Sequence, residues 1–421
     1  MFSNSSRGFS STLLGLIVLV YFGSQLYAQQ PAPTDKTHVQ TNADAAFVGV
    51  NAQRTRVYDS APISLPTTVI WKTGSLFKSY PYSSATATFE GHFADMSILK
   101  LPSYHSFTDL LFARGVLYFS IYINDGYLIA QDAKTGTDRW RFEVKGVGVS
   151  APAIASGSAF IGSSDGAMYC VDIATGLERW KFRPSARRVT AVAPIVDNGL
   201  VYFTNTEYGG TYSTLIDGRI YALDVQTGNQ KWLFKIDARL SSPAIAKGTI
   251  YVGDSEGRLH AIDCETGREK WKLKVKKGVA APVVVNDTVY FGDDEGNLHA
   301  ADAQTGQEKW KATKNAKAVT MLAVSNGIIY YGGNENGLYA VDATTGEPKW
   351  EYHTSRLCRP PIVAGGIVYA PCYDGFMYAL DAGTGKERWK LESKGTFSSS
   401  PAIANGVMYF LNADGHMYAL R

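Results

Sequence analysis

This sequence lacks most of what a metal-binding or nucleic-acid-binding domain displays. It has only four Cys, with no adjacent pair and no Cys-x-x-Cys spacing, so it does not support a structural zinc site. Lys and Arg number 41 against 38 Asp and Glu, a net charge of +3. This balance predicts no nucleic-acid partner. There is no Ser-His-Asp order that can be placed and no phosphate-binding Gly loop, which favours a non-enzymatic protein with no metal.

The sequence also lacks an apolar run long enough to cross a bilayer. Leu13 to Phe22 is ten residues long, too short for about 30 Å of hydrocarbon. Arg7 precedes this run and the small residue Ala28 follows it, as in a signal peptide over residues 1–28. An uncleaved anchor is the alternative. We therefore expect an exported monomer, periplasmic or extracellular, with no transmembrane span after the signal is removed.

Helical periodicity is missing beyond this segment, and a repeat takes its place. The pattern Asp, two variable residues, Thr-Gly, three variable residues and Trp occurs seven times. Its Trp residues are Trp140, Trp180, Trp232, Trp271, Trp310, Trp350 and Trp389. The eighth Trp of the chain, Trp71, lacks the Asp-x-x-Thr-Gly half. Seven copies at one spacing indicate a structural role, and we expect all eight indoles to dock one repeat onto the next.

Each repeat contains four short runs rich in Val, Ile, Tyr and Trp, separated by Gly or Asp turns, as in residues 241–275. Four antiparallel strands at a period of about 39 residues predict an all-β propeller. The last repeat has three strands and ends without a Trp strand, and the Trp71 strand supplies the missing fourth. The sequence therefore predicts an eight-bladed β-propeller over residues 67–421, closed by the N-terminal Trp71 strand and preceded by a lead segment at 29–66.

Two insertions interrupt the period, at about residues 76–105 and 204–215. If the strands are labelled A to D from the axis outward, both insertions fall on the face that carries the D–A links and B–C turns. Long loops on a rigid scaffold are where binding usually occurs. The aromatic and His candidates for a partner-binding patch in these insertions are Tyr82, Phe89, His92, Phe93, Tyr208 and Tyr212.

Cations recur in the D–A links of the same face. They could ring the mouth of the central channel and attract an anionic ligand or an acidic protein. They could equally be solvated loop charges with acidic neighbours. The residues concerned are Arg188, Arg239, Lys277, Lys317, Arg356 and Arg359.

Cys358 and Cys372 flank a predicted hairpin that turns at Gly365-Gly366. A two-residue turn would place Cys358 opposite Tyr373, so the two thiols would lean to opposite faces. A bulge would bring them together. A disulfide and a pair of free thiols therefore both remain open.

The Tyr-Ala-x-Asp-x-x-Thr-Gly-x-x-x-Trp pattern, as at Tyr221 to Trp232 and Tyr378 to Trp389, resembles the pyrroloquinoline-quinone-type (PQQ-like) propeller repeat. Residues 46–58 also resemble the lead segment of exported propellers of this group. Similarity to quinoprotein dehydrogenases would imply a PQQ cofactor with calcium, but this chain is shorter and lacks their adjacent Cys pair. Similarity to the outer-membrane protein assembly factor B type implies a periplasmic, eight-bladed, non-catalytic protein-binding scaffold with no cofactor. That family carries a lipid-bearing Cys, whereas this chain has no Cys before Cys170.

Overall fold

The computed structural model describes residues 47–48, 57–58, 63, 69–73 and 106–421, with gaps at 109, 123–124, 146–147, 185–188, 192, 210–213, 314–318, 334–335 and 394. These residues form eight antiparallel blades and no helix, which confirms the predicted eight-bladed propeller. In this part of the chain no helix has the length and apolar character needed to cross a membrane.

The blades follow one another along the chain. Strands A to D, from the axis outward, have the following bounds. Blade 1 has Leu111–Ala113, Val116–Tyr122, Gly126–Asp132 and Asp138–Val144; blade 2 has Ala153–Ala155, Ser158–Gly162, Met168–Asp172 and Glu178–Phe182; blade 3 has Val189–Ala191 with Ile195–Asp197, Leu200–Gly209, Thr214–Asp224 and Gln230–Ile236; blade 4 has Ala244–Ala246, Thr249–Gly253, Arg258–Asp263 and Glu269–Lys274. Blade 5 has Val283–Val285, Thr288–Gly292, Asn297–Asp302 and Glu308–Thr313; blade 6 has Val319–Ser325, Ile328–Gly333, Gly337–Asp342 and Pro348–His353; blade 7 has Ile362–Ala364, Ile367–Pro371, Phe376–Asp381 and Glu387–Glu392; blade 8 has Ala402–Ala404, Val407–Leu411, Met417–Leu420 and Val69–Lys72.

Blade 8 closes the ring. Its strand D, Val69–Lys72, pairs antiparallel with Met417–Leu420, and Trp71 lies opposite Ala419. The indole N–H of Trp71 then donates to the carbonyl of Ala133 in blade 1, at 3.0 Å. Because this closure joins the last blade to the first, neither blade has an unpacked face at that point.

The hydrogen bonds between turns define two faces of the disc. On the first, which we call the link face, the D–A links bond to the B–C turns: the amide of Ser255 donates to the carbonyl of Arg239 at 2.9 Å. On the second, the turn face, the C–D turns bond to the A–B turns: the amide of Cys264 donates to the carbonyl of Gly248 at 3.0 Å. The predicted insertion at 204–215 extends on the link face, and the one at about 76–105 lies outside the described residues.

Much of the insertion at 204–215 forms β-strand rather than the loop that its polar sequence indicated. Strands B and C of blade 3 run through Gly209 and from Thr214, and they pair as far as Gly209 opposite Thr214. The prediction that this whole stretch only connects the two strands is therefore wrong at both of its ends. Alternating Thr and Tyr residues favour strand pairing, which extends the hairpin beyond the other blades.

Two short strands lie against the inner edges of the blades. Phe47–Val48 pairs antiparallel with strand A of blade 1, and Val57–Tyr58 pairs parallel with strand A of blade 7. Their partners include Ala113 and Ala364, the last residues of those inner strands. Parts of the predicted lead segment are thus built into the disc, at the turn-face end of its central channel.

Candidate partner-binding face

The turn face carries the repeated Asp-x-x-Thr-Gly motif, and its polar groups are taken up within each blade. In blade 4, one carboxylate oxygen of Asp263 accepts hydrogen bonds from the amides of Glu265 and Thr266 and from the Thr266 hydroxyl, at 2.9 to 3.2 Å. The other oxygen forms an ion pair with Lys270 at 3.1 Å. Asp and Thr form such Asx-type turns because their short side chains reach nearby backbone amides.

A cation occupies one position of this motif in every copy, although the sequence pattern leaves that position variable. The residue before each motif Trp is Lys or Arg, and each pairs with the Asp that begins its own motif. The pairs are Arg139–Asp132, Arg179–Asp172, Lys231–Asp224, Lys270–Asp263, Lys309–Asp302, Lys349–Asp342 and Arg388–Asp381. In each of these seven blades the cation is the extra residue of a β-bulge between strands C and D. A bulge re-aims a side chain, here back toward the turn.

The motif Trp then joins neighbouring blades. The Trp232 indole donates to the carbonyl of Cys264 in the next blade at 2.8 Å, and its ring lies over Gly267 of that turn. It also packs against Tyr202 of its own blade, with ring centroids 5.8 Å apart. The same indole-to-carbonyl bond is made by all eight Trp residues. The turn face therefore carries the indole contacts that join neighbouring blades.

These motifs predict a loss of stability in acid. Hydrogen bonds from Thr266 and then Lys270 lower the pKa of Asp263 to about 2, and Arg388 with Thr384 lowers that of Asp381 to about 2, from an ordinary value of 3.8. A carboxyl group whose pKa is lower in the folded chain stabilises the fold only while it is ionised. We expect the stabilisation to be complete above about pH 4 and to be lost as the pH falls toward 2.

Urea unfolding at pH 5, 3 and 2 measures this effect. Asp263→Asn keeps an oxygen for the turn amides but loses the charge that pairs with Lys270. The free energy of unfolding of this variant should fall less between pH 5 and pH 2 than that of the parent, because the variant has one titrating group fewer. Identical pH profiles for parent and variant would contradict the assignment.

On the link face the structure places four of the six predicted cations. Arg239, Lys277 and Arg356 are exposed, and Arg359 is partly buried. Arg239 and Lys277 lie near Asp294, whose pKa is raised by burial and by Asp293 and is pulled down by these two cations. The link face between blades 4 and 5 thus has mixed charge rather than purely cationic charge.

Arg359 is held against the neighbouring blade. Its Nε donates to the carbonyl of Phe397 at 2.8 Å, and its guanidinium lies 5.4 Å from the ring centroid of Tyr373. These contacts link blades 7 and 8, and the role of Arg359 in binding an anionic ligand or an acidic protein stays a prediction.

The other predicted residues of this face lie outside the described residues. This holds for Arg188, Lys317, Tyr82, Phe89, His92, Phe93 and Tyr212. Tyr208 lies in the extended strand B of blade 3, and its backbone pairs with Leu215. Among the described side chains, no three His, Cys, Asp or Glu residues converge as they would around a metal ion.

A buried ionic network beneath the blade 3 hairpin was not anticipated. Arg219 of strand C pairs with Glu207 of strand B and, through Nε, with Asp217 at 2.6 Å. Glu207 and Asp217 are 4% and 8% exposed. Buried carboxylates need such a partner because an unpaired buried charge is costly. The only sequence signal was the acid–base alternation at Asp217-Gly218-Arg219, which by itself is common on solvated strands.

Two His residues are buried in the same half of the disc. His260 contacts Asp254 at 3.0 Å and Glu269 at 2.6 Å, and His299 contacts Asp293 and Glu308 in the same way. In blade 7 the matching strand position holds Tyr378, whose hydroxyl donates to Asp374 at 2.9 Å. At this strand position His and Tyr side chains alike bind a carboxylate of the B–C turn, which indicates a structural role for both His residues.

A disulfide joins Cys358 and Cys372, whose Cα atoms are 3.8 Å apart. Near its turn the hairpin has the register of a two-residue turn, with Ile362 opposite Tyr369. A one-residue shift then places Cys358 opposite Cys372. In other blades this position pairs an apolar residue with the first residue of the B–C turn, as in Leu240 with Asp254.

We expect this disulfide to stabilise the fold by about 3 kcal/mol, since it closes a loop of 14 residues and limits the unfolded chain. Replacing both Cys358 and Cys372 by Ser should lower the urea midpoint by the corresponding amount. Reduction of the parent should reproduce the loss, and the double variant should not respond to reductant. A parent whose midpoint is unchanged by reduction would contradict this expectation.

One of the comparisons with known proteins shows the family of this chain. The family model described as outer membrane protein assembly factor BamB matches residues 124–352 and 355–421. The chain belongs to this family. The predicted resemblance to a PQQ-like propeller of the assembly factor B type is therefore confirmed. A search of curated protein sequences gave no significant match.

Similar solved structures show how widely the BamB-type fold is shared. BamB from Moraxella catarrhalis is 20% identical, with 77% of this chain and 95% of that chain covered at a TM-score of 0.59. A europium-containing methanol dehydrogenase is 16% identical, with 88% of each chain covered at 0.65. The computationally designed Ika8 protein is 17% identical, with 76% and 98% covered at 0.63. At these identities the likeness shows the fold alone.

Proposed function

We propose that this BamB-type propeller is an exported, non-catalytic scaffold of the cell envelope that binds another protein through its link face. The observation that carries the proposal is the difference between the two faces. On the turn face the repeated Asp carboxylates and indoles are used to stabilise the blades. On the link face the D–A links expose Arg239, Lys277 and Arg356, and blade 3 extends its hairpin.

The chemistry of the exposed link-face residues favours a partner with acidic segments. Arg239, Lys277 and Arg356 come from the D–A links of blades 3, 4 and 6, so they spread along one arc of the disc. Charges at the rim of an interface mainly raise the association rate and select partners of opposite sign. Because such charges are screened by salt, the complex should weaken as the ionic strength rises.

Charge reversal on opposite faces tests this proposal. The partner is first captured from an envelope extract with the full chain and identified, and its affinity is then measured by titration. Arg239→Glu, Lys277→Glu and Arg356→Glu together should weaken binding by about tenfold or more, since like charges then meet across the interface. The matched control reverses Lys134, Arg268 and Lys386, which are exposed on the turn face.

The control variant has the same net charge change, so it separates a local effect from a global one. Equal weakening by both triple variants would show that the link face is not the binding surface. The alternative function, a redox protein that binds PQQ and calcium, is supported by likeness to dehydrogenases in fold. Absorbance and calcium analysis of the purified protein test it, and a stoichiometric quinone chromophore would replace the scaffold proposal.

A further inference from the structure

The D–A link between blades 6 and 7 carries a pair of side chains that the matching links lack. Cys358 and Cys372 form the bridge between this link and the B–C turn, and the residues that follow them are Arg359 and Tyr373. In blades 2, 4 and 5 the residues that follow the corresponding bridge are small or acidic: Ser150 with Ser164, Ser241 with Ser255, and Ala280 with Asp294. Blade 7 thus places a guanidinium and an aromatic ring where those three blades have neither.

The Arg359 guanidinium is held in one position. Its Nε donates to the carbonyl of Phe397 at 2.8 Å, and its carbon lies 5.4 Å from the ring centroid of Tyr373. The backbone is fixed as well, because the Arg359 amide donates to the carbonyl of Pro371 at 2.7 Å. The Tyr373 amide donates to the carbonyl of Leu357 at 2.9 Å, and the disulfide lies between these two bonds. A side chain that is ordered before binding loses little conformational entropy on binding, so this site is preorganised.

The guanidinium of Arg359 has more donors than its contacts use. Arginine carries five N–H donors, and only the one on Nε is bound to Phe397. In the part of the chain that the structure describes, no carboxylate forms an ion pair with Arg359 or with the exposed Arg356. Elsewhere on this face Lys276 pairs with Glu295 at 2.8 Å. The charge of this link therefore has no counter-charge of its own among the described residues.

The chemistry of the site selects a carboxylate that lies beside a large apolar group. The two terminal amino groups of one guanidinium match the two oxygens of a carboxylate in parallel N–H···O bonds. Leu357 and Tyr373 are partly exposed, and they leave apolar surface beside the charge. Tyr and Arg are also among the residue types that most often dominate the energy of a protein interface.

A polypeptide fits this surface better than a small acid does. Arg356 is exposed, and Leu357, Arg359 and Tyr373 are partly exposed, so the site is open to solvent. Small molecules bind mainly where a concave site buries most of their surface. A polypeptide also contacts the neighbouring links, which adds buried area that a small acid lacks. We call these four residues the Arg–Tyr platform.

We propose that the Arg–Tyr platform binds an acidic side chain of a partner polypeptide, next to an aromatic or aliphatic residue of the same segment. The terminal amino groups of Arg359 bind the carboxylate. Tyr373 and Leu357 contact the apolar neighbour. Arg356 attracts further acidic residues of the segment. This assignment rests on the proposed scaffold function, since it names the contact by which the link face recognises its partner.

Two short peptides that differ only in one side chain test the platform without knowledge of the partner. The full chain, labelled in arginine with the heavy isotope of nitrogen, is titrated with acetyl-Gly-Phe-Glu-Gly-amide and with acetyl-Gly-Phe-Gln-Gly-amide. The Nε–H signal of Arg359 is followed by nuclear magnetic resonance. At low salt the Glu peptide should bind at least about tenfold more tightly, because hydrogen bonds to a charged acceptor are the stronger ones. Acetate, which lacks the apolar neighbour, should bind at least about tenfold more weakly than the Glu peptide.

Variants on the two faces assign the preference to Arg359. Arg359→Lys keeps the charge but removes the planar set of donors, so it should lose most of the preference for the Glu peptide. The matched control is Arg268→Lys on the turn face, where the side chain is exposed, and it should keep the whole preference. Each chain is judged by the ratio of its two peptide affinities, so a small change in stability does not alter the result.

A double-mutant cycle tests the apolar contact separately. Tyr373→Ala should bind the Glu peptide about threefold or more weakly than the parent, because the ring no longer contacts the Phe of the peptide. Replacing that Phe by Ala should weaken binding to the parent by a similar factor and change binding to Tyr373→Ala little. If the two losses simply add, Tyr373 does not contact the apolar residue and the platform is wrong.

The captured partner separates this inference from the proposed function. Arg359→Lys leaves the net charge unchanged and should still weaken that complex by about tenfold. If the triple charge reversal on the link face weakens the complex and Arg359→Lys does not, the link face remains the binding surface and the platform is wrong. A parent chain that binds the Glu and Gln peptides equally, or acetate as tightly as the Glu peptide, would overturn the platform whatever the partner shows.

Discussion

Replacing Gly267 by Ala should destabilise the protein by about 2–5 kcal/mol, the sum of backbone strain and displacement of an indole. Gly267 has φ of +68°, and a Cβ at this position would lie 2.6 Å from Cδ2 of Trp232. The ring cannot retreat without losing its hydrogen bond to Cys264. The effect therefore combines a local conformational cost with loss of the contact between blades 3 and 4.

Gly248 is the matched control for this substitution. It also has φ of +68°, but a Cβ there would have no atom within 4 Å. Gly248→Ala should therefore show only the backbone strain, about 1–2 kcal/mol. Urea unfolding, followed by Trp fluorescence and by far-ultraviolet circular dichroism, gives both values. If the two variants lose the same stability, the indole docking contributes little and the blades are held by other contacts.

The sequence was most informative where one side chain does the same work in every blade. The Trp spacing predicted the blade count, and the missing Asp-x-x-Thr-Gly beside Trp71 predicted where the ring closes. Both depend on side chains that no other residue type can replace, so they leave a repeated pattern. The cation before each Trp was also in the sequence, but its role depends on a bulge that directs Lys270 back to Asp263.

The contacts of Ile63 with Tyr369 and Trp389 could not be predicted in this way. Ile63 acts through its backbone amide and carbonyl, which every residue type except proline offers, so no side-chain pattern marks it. Its partners Tyr369 and Trp389 lie 306 and 326 residues further along the chain. The ionic network of Glu207, Asp217 and Arg219 was missed for a related reason. Its residues look like ordinary surface charges until strands B and C of blade 3 pair and bring them together.

Removing the N-terminal residues through 74 should lower the melting temperature by about 10 °C or more. This chain loses strand D of blade 8 and the Trp71 indole, whose ring covers Gly136 and whose N–H binds Ala133 in blade 1. Truncating a fully buried Trp costs about 3–5 kcal/mol, and the loss of the half-buried Trp71 adds to that of its whole strand. Each kcal/mol shifts the melting temperature by about 2–4 °C in a domain of 150–250 residues. The exposed edge of Met417–Leu420 should also promote association between molecules.

Three starting points separate the contributions of this N-terminal region. A chain that begins at residue 46 keeps every described strand and should melt with the full chain. One that begins at residue 64 keeps Val69–Lys72 but lacks Ile63, so Trp389 and Tyr369 lose their buried partners and the melting temperature should fall to an intermediate value. One that begins at residue 75 should melt lowest. If the second and third chains melt together, strand D adds nothing once Ile63 is absent, and the ring is held closed by Ile63 rather than by the Trp71 strand.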